Sequence, residues 1–138
     1  MLFFLDANVL FTAAHNPAGR SAAIVELARA GACRLVTSPH ALEEARRNLR
    51  LKYPRAVDAL ERLVTLASVE PEAPSKDIAW ALEQGLPLKD APILAAAAQA
   101  RCEVLVTGDR GHFGHLYGRR VRGVLVLPPA DALARLLG

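Results

Sequence analysis

The sequence contains little of what usually identifies a secreted or membrane protein. Of its 138 residues only 5% are aromatic, two are cysteine, and lysine occurs just three times. No apolar run is long enough to span a membrane. The N-terminal apolar run ends at Asp6, which is too early for a secretory signal. We therefore expect a cytoplasmic protein without disulfide bonds.

The remaining composition is that of an ordinary folded chain. Hydrophobic residues make up 52% and charged residues 22%, and this length predicts a single domain spanning residues 1–138. Cys33 and Cys102 stand apart from any CxxC pair, so we expect two buried thiols. A net charge of +3 is compatible with a polyanionic partner, but base composition or thermal adaptation explains it equally well.

Short apolar segments alternate with helical patterns along the chain. This alternation predicts βαβ units and a mainly parallel sheet with helices on both faces. The strands are predicted at residues 1–5, 34–37, 64–69, 103–107 and 124–127. The helices are predicted at about residues 19–30, 38–51, 54–63, 77–84, 90–101 and 129–137.

Three aspartates lie where such a sheet binds ligands, outside the carboxyl ends of its strands. Asp6 follows the first strand, Asp109 follows the fourth, and Asp90 begins the alanine-rich helix between them. Each has a simpler alternative explanation. Asp6 is also typical of a turn or a helix cap, and Asp109 of a turn. Asp90 is also a typical helix N-cap.

A fourth acidic position lies on the helix that begins at Ser38. Glu43 and Glu44 flank its apolar face on opposite sides, so periodicity does not choose between them. Glu43 has Arg46 and Arg47 within one turn as ion-pair partners. Glu44 has Asn48 instead, which leaves Glu44 freer to serve a site.

Carboxylates that converge on one edge of a sheet repel one another unless a cation lies between them. Mg²⁺ and Mn²⁺ are the natural choices for a site made of oxygen ligands. Such ions polarise phosphodiesters and stabilise the charge on attacking and leaving oxygens. The acidic pattern therefore indicates a hydrolytic phosphoryl-transfer site.

Four segments, in this order, resemble the motifs of PIN domains. They are LDANVL at residues 5–10, SPHALEE at 38–44, KDAPILAAA at 89–97 and VTGDR at 106–110. Each is weak alone, but the ordered set covers nearly the whole chain. The sequence is most similar to bacterial and archaeal PIN proteins described as toxin components of toxin–antitoxin pairs.

The resemblance implies a three-layer α/β/α sandwich with a sheet of about five strands. It also implies a ribonuclease that needs Mg²⁺ or Mn²⁺ and cleaves single-stranded RNA, and the toxin branch adds an antitoxin partner and a homodimer. Asp6, Glu44, Asp90 and Asp109 match the metal-binding acids of the family. Glu44 is preferred to Glu43 because the acid of the second motif falls at its position.

Several other residues are candidates for supporting roles. Asn8 is expected to orient a neighbouring carboxylate or a water, and Thr107 to hydrogen-bond an acidic ligand; the alternatives are a turn asparagine and a β-branched strand residue. Phe113 and Tyr117 are candidates for base stacking. A basic group after Asp109 would form a rim that holds the RNA backbone; the alternative is a solvated loop. The group consists of Arg110, His112, Arg119, Arg120 and Arg122. His112 and His115 do not predict zinc, because no cysteine or third histidine lies nearby in the sequence.

Three other functions compete with the nuclease. A haloacid-dehalogenase-like phosphohydrolase also has an aspartate after its first strand, but it needs a second one where this chain has Asn8. A receiver-like domain needs a lysine after a late strand, where Asp109 and Arg110 stand instead. In a non-catalytic binding module, the acids would be caps and the basic rim would bind nucleic acid or a protein.

Overall fold

The fold is built on six short strands, and the computed structural model describes all 138 residues. Most strand residues are buried aliphatic or aromatic side chains, as expected for a sheet that is covered on both faces. In chain order the strands are β1 (Leu2–Leu5), β2 (Arg34–Thr37), β3 (Ala67–Val69), β4 (Val104–Val106), β5 (Arg120–Val121) and β6 (Val124–Leu127).

Eight helices connect or follow the strands. They are α1 (Ala7–His15), α2 (Arg20–Arg29), α3 (Pro39–Lys52), α4 (Val57–Val64), α5 (Ser75–Leu82), α6 (Ala91–Gln99), α7 (Arg110–Phe113) and α8 (Pro129–Leu137), with 3₁₀ turns at Pro54–Ala56 and Gly114–Leu116. The start of α3 shows how the local sequence determines where a helix begins. Ser38 accepts a hydrogen bond from the backbone N–H of Ala41, and Pro39 occupies the first turn, where no intrahelical donor is needed.

The strand order β3-β2-β1-β4-β6-β5 reverses direction between β1 and β4. All neighbouring strands run parallel except β5 and β6. Ligand sites in such sheets lie at this reversal, outside the carboxyl ends of the two strands. The predicted mainly parallel α/β sheet is therefore confirmed, and Asp6 and Asp109 lie beside its reversal point.

Helices cover both faces of the sheet. The chain moves one way across the sheet from β1 to β3 and the opposite way from β3 to β6, so right-handed crossovers place α1–α4 and α5–α6 on opposite faces. Consistent with this, α1 contacts α2, α3 and α4, while α5 packs against α6. The final helix α8 packs on α2 and completes the first layer.

The sheet has six strands rather than the predicted five. The additional strand, β5, pairs with β6 as an antiparallel hairpin. Its two-residue loop is Arg122–Gly123, and both residues have positive φ, 49° and 81°, as a type I′ turn requires. Arginine is not a residue that this turn favours, so the sequence offered no hairpin signal.

Some predicted boundaries were also wrong. Helix α1 was not predicted, because Asp6-Ala7-Asn8 was interpreted as a turn after β1. The segment 64–69 is a strand only in its last three residues, since Val64 still belongs to α4. The helix predicted from Pro54 begins as a 3₁₀ turn and becomes α-helical at Val57.

The interior is one continuous apolar cluster of 38 buried residues. Cys33 and Cys102 belong to it as free thiols, as predicted, and burial raises the pKa of Cys102 to about 12. None of the helices has the length and apolar character needed to cross a membrane.

Candidate active site

A cleft of about 340 Å³ lies at the carboxyl ends of β1 and β4. The structure brings all four sequence-predicted acids to its walls. Two lysines are the only basic residues among the others that line it. The full lining is Asp6, Asn8, Phe11, Glu44, Asn48, Lys52, Lys89, Asp90, Gly108 and Asp109.

The carboxylate of Asp6 is buried and held by three hydrogen bonds. Its Oδ1 accepts from the backbone N–H of Ala7 at 2.7 Å, which makes Asp6 the N-cap of α1. Its Oδ2 accepts from Thr107 Oγ1 at 2.8 Å and from Asn8 Nδ2 at 3.1 Å. Asp6 is thus a helix cap, as its simpler interpretation predicted, and it is also a wall of the cleft.

Asn8 and Thr107 join the beginning of the chain to the segment after β4. Asn8, which lies in α1 rather than in a turn, accepts a hydrogen bond from the backbone N–H of Gly108 at 2.6 Å. A Cβ at Gly108 would lie 3.2 Å from Asn8 Oδ1, so glycine allows this close approach. Thr107 Oγ1 also accepts from the backbone N–H of Asp109 at 3.2 Å, and Tyr117 donates to the Thr107 carbonyl at 2.8 Å.

Burial raises the pKa of Asp6 from 3.8 to about 6. The hydrogen bonds from Thr107 and Ala7 lower this pKa, whereas the nearby charges of Asp90 and Glu44 raise it. Desolvation has the larger effect, because a buried carboxylate loses hydration that the hydrogen bonds replace only in part. A cation in the cleft would favour the ionised form instead.

Asp90 is also buried, but its carboxylate is satisfied less well. It stands at the N-terminus of α6 without capping it, because its side chain makes no hydrogen bond to the helix. The interpretation of Asp90 as a plain N-cap is therefore wrong. Its Oδ2 is buried without any hydrogen-bond partner, and Lys89 Nζ lies 3.9 Å from its Oδ1. Burial raises the pKa of Asp90 as well, and Lys89 and His112 oppose this shift.

Asp109 and His112 lie directly opposite Asp90. Asp109 Oδ1 accepts the backbone N–H of His112 at 3.0 Å and so caps α7. The imidazole Nδ1 of His112 lies 2.9 Å from Asp109 Oδ2 and 2.7 Å from Asp90 Oδ2. The donor atoms of these three residues lie within 4.8 Å of one another. His112 was expected among the phosphate-binding residues, and its place beside two carboxylates had no sequence signal.

The structure distinguishes Glu44 from Glu43, which periodicity did not. Glu44 lines the acidic cleft, whereas Glu43 is exposed and its Oε1 lies 3.9 Å from Arg50 Nη1. The expected pairing of Glu43 with Arg46 is wrong, because Arg46 forms two hydrogen bonds of 2.8 Å with Glu61. Arg46 therefore forms its ion pair with a residue of α4 and not with a residue of its own helix.

These residues fit a hard divalent cation. Four carboxylates in one cleft supply the oxygen ligands that Mg²⁺ and Mn²⁺ prefer. Asp90 Oδ2 and His112 Nδ1 face each other beside this cleft. Both atoms are buried without a hydrogen-bond partner, and buried polar atoms are rarely left so. A cation that both atoms contact would satisfy them together.

The predicted basic rim divides into two groups. Arg110 lines a second cleft of about 710 Å³, which shares Asn8 and Gly108 with the acidic cleft. Arg119, Arg120 and Arg122 line neither cleft. Arg120 donates to the Gly123 carbonyl at 3.4 Å inside the hairpin.

Arg122 and two aromatic candidates make contacts within the protein. The Arg122 guanidinium lies 3.9 Å above the ring of Trp80 and 3.2 Å from Asp77 on α5. Phe113 is fully buried, so the prediction that it stacks on bases is wrong. Tyr117 is half-buried, and its ring lies 5.5 Å from the Arg110 guanidinium.

His40 is a positioning residue that the sequence did not indicate. Its Nε2 lies 2.8 Å from the carbonyl oxygen of Lys89, and its backbone N–H donates to Glu72. It therefore links the start of α3 to the loop that presents Asp90. The contact spans 49 residues of sequence, so no local pattern reveals it.

A protein-family model described as PIN domain matches residues 3–111. The chain belongs to the PIN-domain family. The resemblance found in the four motifs is thereby confirmed, and the match covers all four acids of the cleft. A comparison with curated proteins finds no match.

Solved structures similar to this PIN domain share its fold at low sequence identity. PAE2754 from Pyrobaculum aerophilum is 22% identical with a TM-score of 0.70, covering 99% of this chain and 98% of that one. VapBC2 from Rickettsia felis, bound to a promoter DNA fragment, is 15% identical with a TM-score of 0.66 over 93% and 98%. VapC20 from Mycobacterium tuberculosis, described as a sarcin-ricin loop cleaving toxin, is 19% identical with a TM-score of 0.56 over 75% and 86%.

Proposed function

We propose that this PIN domain is a divalent-metal-dependent endoribonuclease that hydrolyses phosphodiester bonds in single-stranded RNA. The observation that carries the proposal is the convergence of four carboxylates on one cleft, where Asp90 Oδ2 has no hydrogen-bond partner. Membership of the PIN family supports it, as does the description of the similar VapC20 as a sarcin-ricin loop cleaving toxin. We propose that residues 1–138 form one nuclease domain.

In this proposal Asp6, Glu44, Asp90 and Asp109 hold Mg²⁺ or Mn²⁺. A bound ion of this kind would polarise the phosphodiester and stabilise the charge that develops on the attacking and leaving oxygens. Asp90 and Asp109 bind most directly, because their Oδ2 atoms face a shared space. The hydrogen bonds from Asn8 and Thr107 keep the Asp6 carboxylate turned toward the cleft.

Glu44 has a different task in the proposed reaction. It is half-buried among the residues that line the cleft, and no salt bridge occupies its carboxylate. An ionised carboxylate in this position can orient the attacking water and accept its proton on an Oε atom. Lys52 and Lys89 on the same walls would attract the phosphate backbone.

The substrate would continue into the neighbouring 710 Å³ cleft. The two clefts meet at Asn8 and Gly108, and Arg20 and Arg110 line the larger one. Arginine contacts to phosphate position a nucleic acid without reading its sequence. A strand lying in both clefts would therefore have its backbone held on one side of the scissile phosphate.

We further propose that the protein is the toxin of a toxin–antitoxin pair, acting in the cytoplasm as a homodimer with an antitoxin partner. Support comes from solved complexes of similar fold, VapBC2 from Rickettsia felis and FitAcB from Neisseria gonorrhoeae. Co-expression with the product of an adjacent small gene, followed by measurement of the molar mass of the complex, tests this assignment. A chain that elutes alone as a monomer contradicts it.

The decisive experiment for the nuclease is cleavage of an end-labelled single-stranded RNA pool with Mg²⁺ or Mn²⁺. EDTA should abolish cleavage. Asp90→Asn should lower the rate by more than about 100-fold, because even indirect ligand partners contribute about 10- to 100-fold. Asp58→Asn, at an exposed acid on α4, is the control and should cleave normally.

Three results would overturn the proposal. Full activity in Asp90→Asn would show that the cleft is not the site. Turnover of small phosphate monoesters with RNA untouched would instead support a phosphohydrolase. RNA binding that needs neither metal nor Asp90, without cleavage, would support a binding module.

A further inference from the structure

The imidazole Nδ1 of His112 is directed at the carboxylates of Asp90 and Asp109, and the side chain as a whole is 40% exposed. Its Nδ1 lies 2.7 Å from Asp90 Oδ2 and 2.9 Å from Asp109 Oδ2. Neither contact has the geometry of a hydrogen bond, and both Nδ1 and Asp90 Oδ2 are buried without a hydrogen-bond partner. Two polar atoms that are buried without hydrogen bonds lower the stability of the fold unless a third group binds both.

The local fold fixes this orientation. The backbone N–H of His112 donates to Asp109 Oδ1, and the backbone N–H of Asp109 donates to Thr107 Oγ1. The next residue, Phe113, is fully buried in the core. His112 is therefore anchored on both sides in sequence, and its ring contacts two carboxylates that line the cleft.

We propose that His112 is a direct ligand of the metal through Nδ1, and that this nitrogen makes the site prefer Mn²⁺ to Mg²⁺. The inference rests on the proposed function, because Asp90 and Asp109 supply the other ligands. In an octahedral site with ligand bonds of roughly 2.1 Å, adjacent ligands are about 3 Å apart. The observed nitrogen–oxygen distances of 2.7 and 2.9 Å are close to that spacing.

The donor set explains the expected preference. Mg²⁺ binds oxygen almost exclusively, whereas imidazole nitrogen suits transition-metal ions. A site with one nitrogen and several carboxylates keeps enough oxygen for Mn²⁺ and gains selectivity against Mg²⁺. It contains no thiolate and a single imidazole, so it also differs from the usual ligand set of zinc.

The test uses the full chain with Mn²⁺ as the probe. Electron spin-echo envelope modulation detects the ¹⁴N of an imidazole bound to Mn²⁺. We expect this modulation in the wild type and in His15→Gln, and its loss in His112→Gln. His15 is a matched control because it stacks on Tyr53 at 4.3 Å and does not line the acidic cleft.

Titration calorimetry with each metal gives a second readout. Loss of a direct ligand should weaken Mn²⁺ binding by at least about tenfold, since even residues behind the ligands contribute that much. Mg²⁺ binding should change much less in His112→Gln, so the ratio of the two affinities should fall. A melting curve of the metal-free variant checks that it is folded.

The outcomes separate this inference from the proposed function. If Mn²⁺ binds the wild type without ¹⁴N modulation, or binds His112→Gln equally tightly, the His112 inference is overturned and the carboxylate site stands. If neither ion binds the wild type, the proposed metal site fails together with the inference. The wild-type spectrum alone decides the ligand question even if the variant is unstable.

Discussion

Asp6 and Asp90 are both buried carboxylates in one cleft, but the protein satisfies their oxygens very differently. Asp6 accepts hydrogen bonds from Ala7, Asn8 and Thr107. Asp90 accepts none on Oδ2, which faces the imidazole of His112. The protein itself supplies the hydrogen bonds on the Asp6 side of the cleft, whereas on the Asp90 side two buried atoms, Asp90 Oδ2 and His112 Nδ1, have no hydrogen-bond partner.

This difference indicates that the two sides of the cleft have different roles. Hydrogen bonds on the Asp6 side hold one carboxylate in a fixed orientation, which preorganises the cleft before any ligand arrives. The unsatisfied atoms on the Asp90 side would give a cation the larger gain on binding. The predictions below test this division of the cleft, beginning with the largest expected effect.

The first prediction concerns the cost of ionising Asp6. Burial raises the pKa of Asp6 from 3.8 to about 6, so the folded protein favours the protonated carboxyl. The contribution of this preference to the free energy of unfolding is fully present below pH 3.8 and is lost as the pH rises to about 6. The loss amounts to about 3 kcal/mol, since each pKa unit corresponds to about 1.36 kcal/mol. Denaturant unfolding of the metal-free protein between pH 4 and 7 measures it.

Asp6→Asn is the reference for this measurement, because titrating groups that do not interact with Asp6 cancel in the difference. The wild type should lose stability relative to the variant as the pH rises. Parallel stability curves for the two proteins would refute the raised pKa. Added Mn²⁺ should reverse the trend, since metal binding requires ionised carboxylates.

The second prediction removes the support of Asp6 without touching the carboxylate. Thr107→Val leaves Asp6 Oδ2 with one donor and should cost about 1 to 3 kcal/mol of stability. It should also lower metal-dependent cleavage by about 10- to 100-fold. Thr37→Val is the matched control, because Thr37 is equally buried and donates to the Leu5 carbonyl at 2.9 Å.

Thr37→Val should lose a comparable amount of stability and keep its cleavage rate under conditions where both variants are folded. Equal losses of activity in the two variants would mean that Thr107 matters only for folding. Chemical denaturation and single-turnover cleavage, measured on the same preparations, separate the two effects.

The third prediction compares two neighbouring glutamates on α3. Glu44→Gln should lower the cleavage rate by about tenfold or more, in the range of a lost general base. Glu43→Gln should have no effect, because Glu43 is exposed and faces Arg50. The reverse pattern would mean that the motif position was assigned to the wrong glutamate.

The smallest predicted effect concerns the two kinds of arginine after β4. Arg110→Gln should weaken RNA binding a few-fold. It should also reduce the slope of the logarithm of the binding constant against the logarithm of the salt concentration by about one, which corresponds to one lost phosphate contact. Arg122→Gln should leave both unchanged, since its guanidinium is occupied by Trp80 and Asp77. Binding titrations at several salt concentrations measure both quantities. A reduced slope in Arg122→Gln would mean that Arg122 also contacts RNA, as the predicted basic rim requires.

The sequence predicted the sheet and the places of Asp6 and Asp109 for the same physical reason. Alternating apolar strands and helices specify a parallel sheet, and such a sheet gathers the residues after its strands at one edge. The choice of Glu44 came from the family motif, because periodicity treats Glu43 and Glu44 alike.

What the sequence did not predict depends on contacts between distant residues. His40 reaches the carbonyl of Lys89 across 49 residues, and Arg122 reaches α5 across 45. The direction of the His112 ring depends on how α7 meets α6. Helix α1 was missed for a local reason, since an aspartate after a strand is as common in turns as in helix caps.

The hydrogen bond from Thr107 to Asp6 joins residues 101 positions apart, and this has a consequence for biosynthesis. During translation Asp6 is made long before Thr107, and Asp109 and His112 follow later still. Until then the nascent chain lacks one of the three donors that hold Asp6 and two of the groups that face Asp90. The order of translation therefore delays assembly of the cleft until the segment after β4 has been made, and a truncated chain that lacks β4 would have an incomplete cleft.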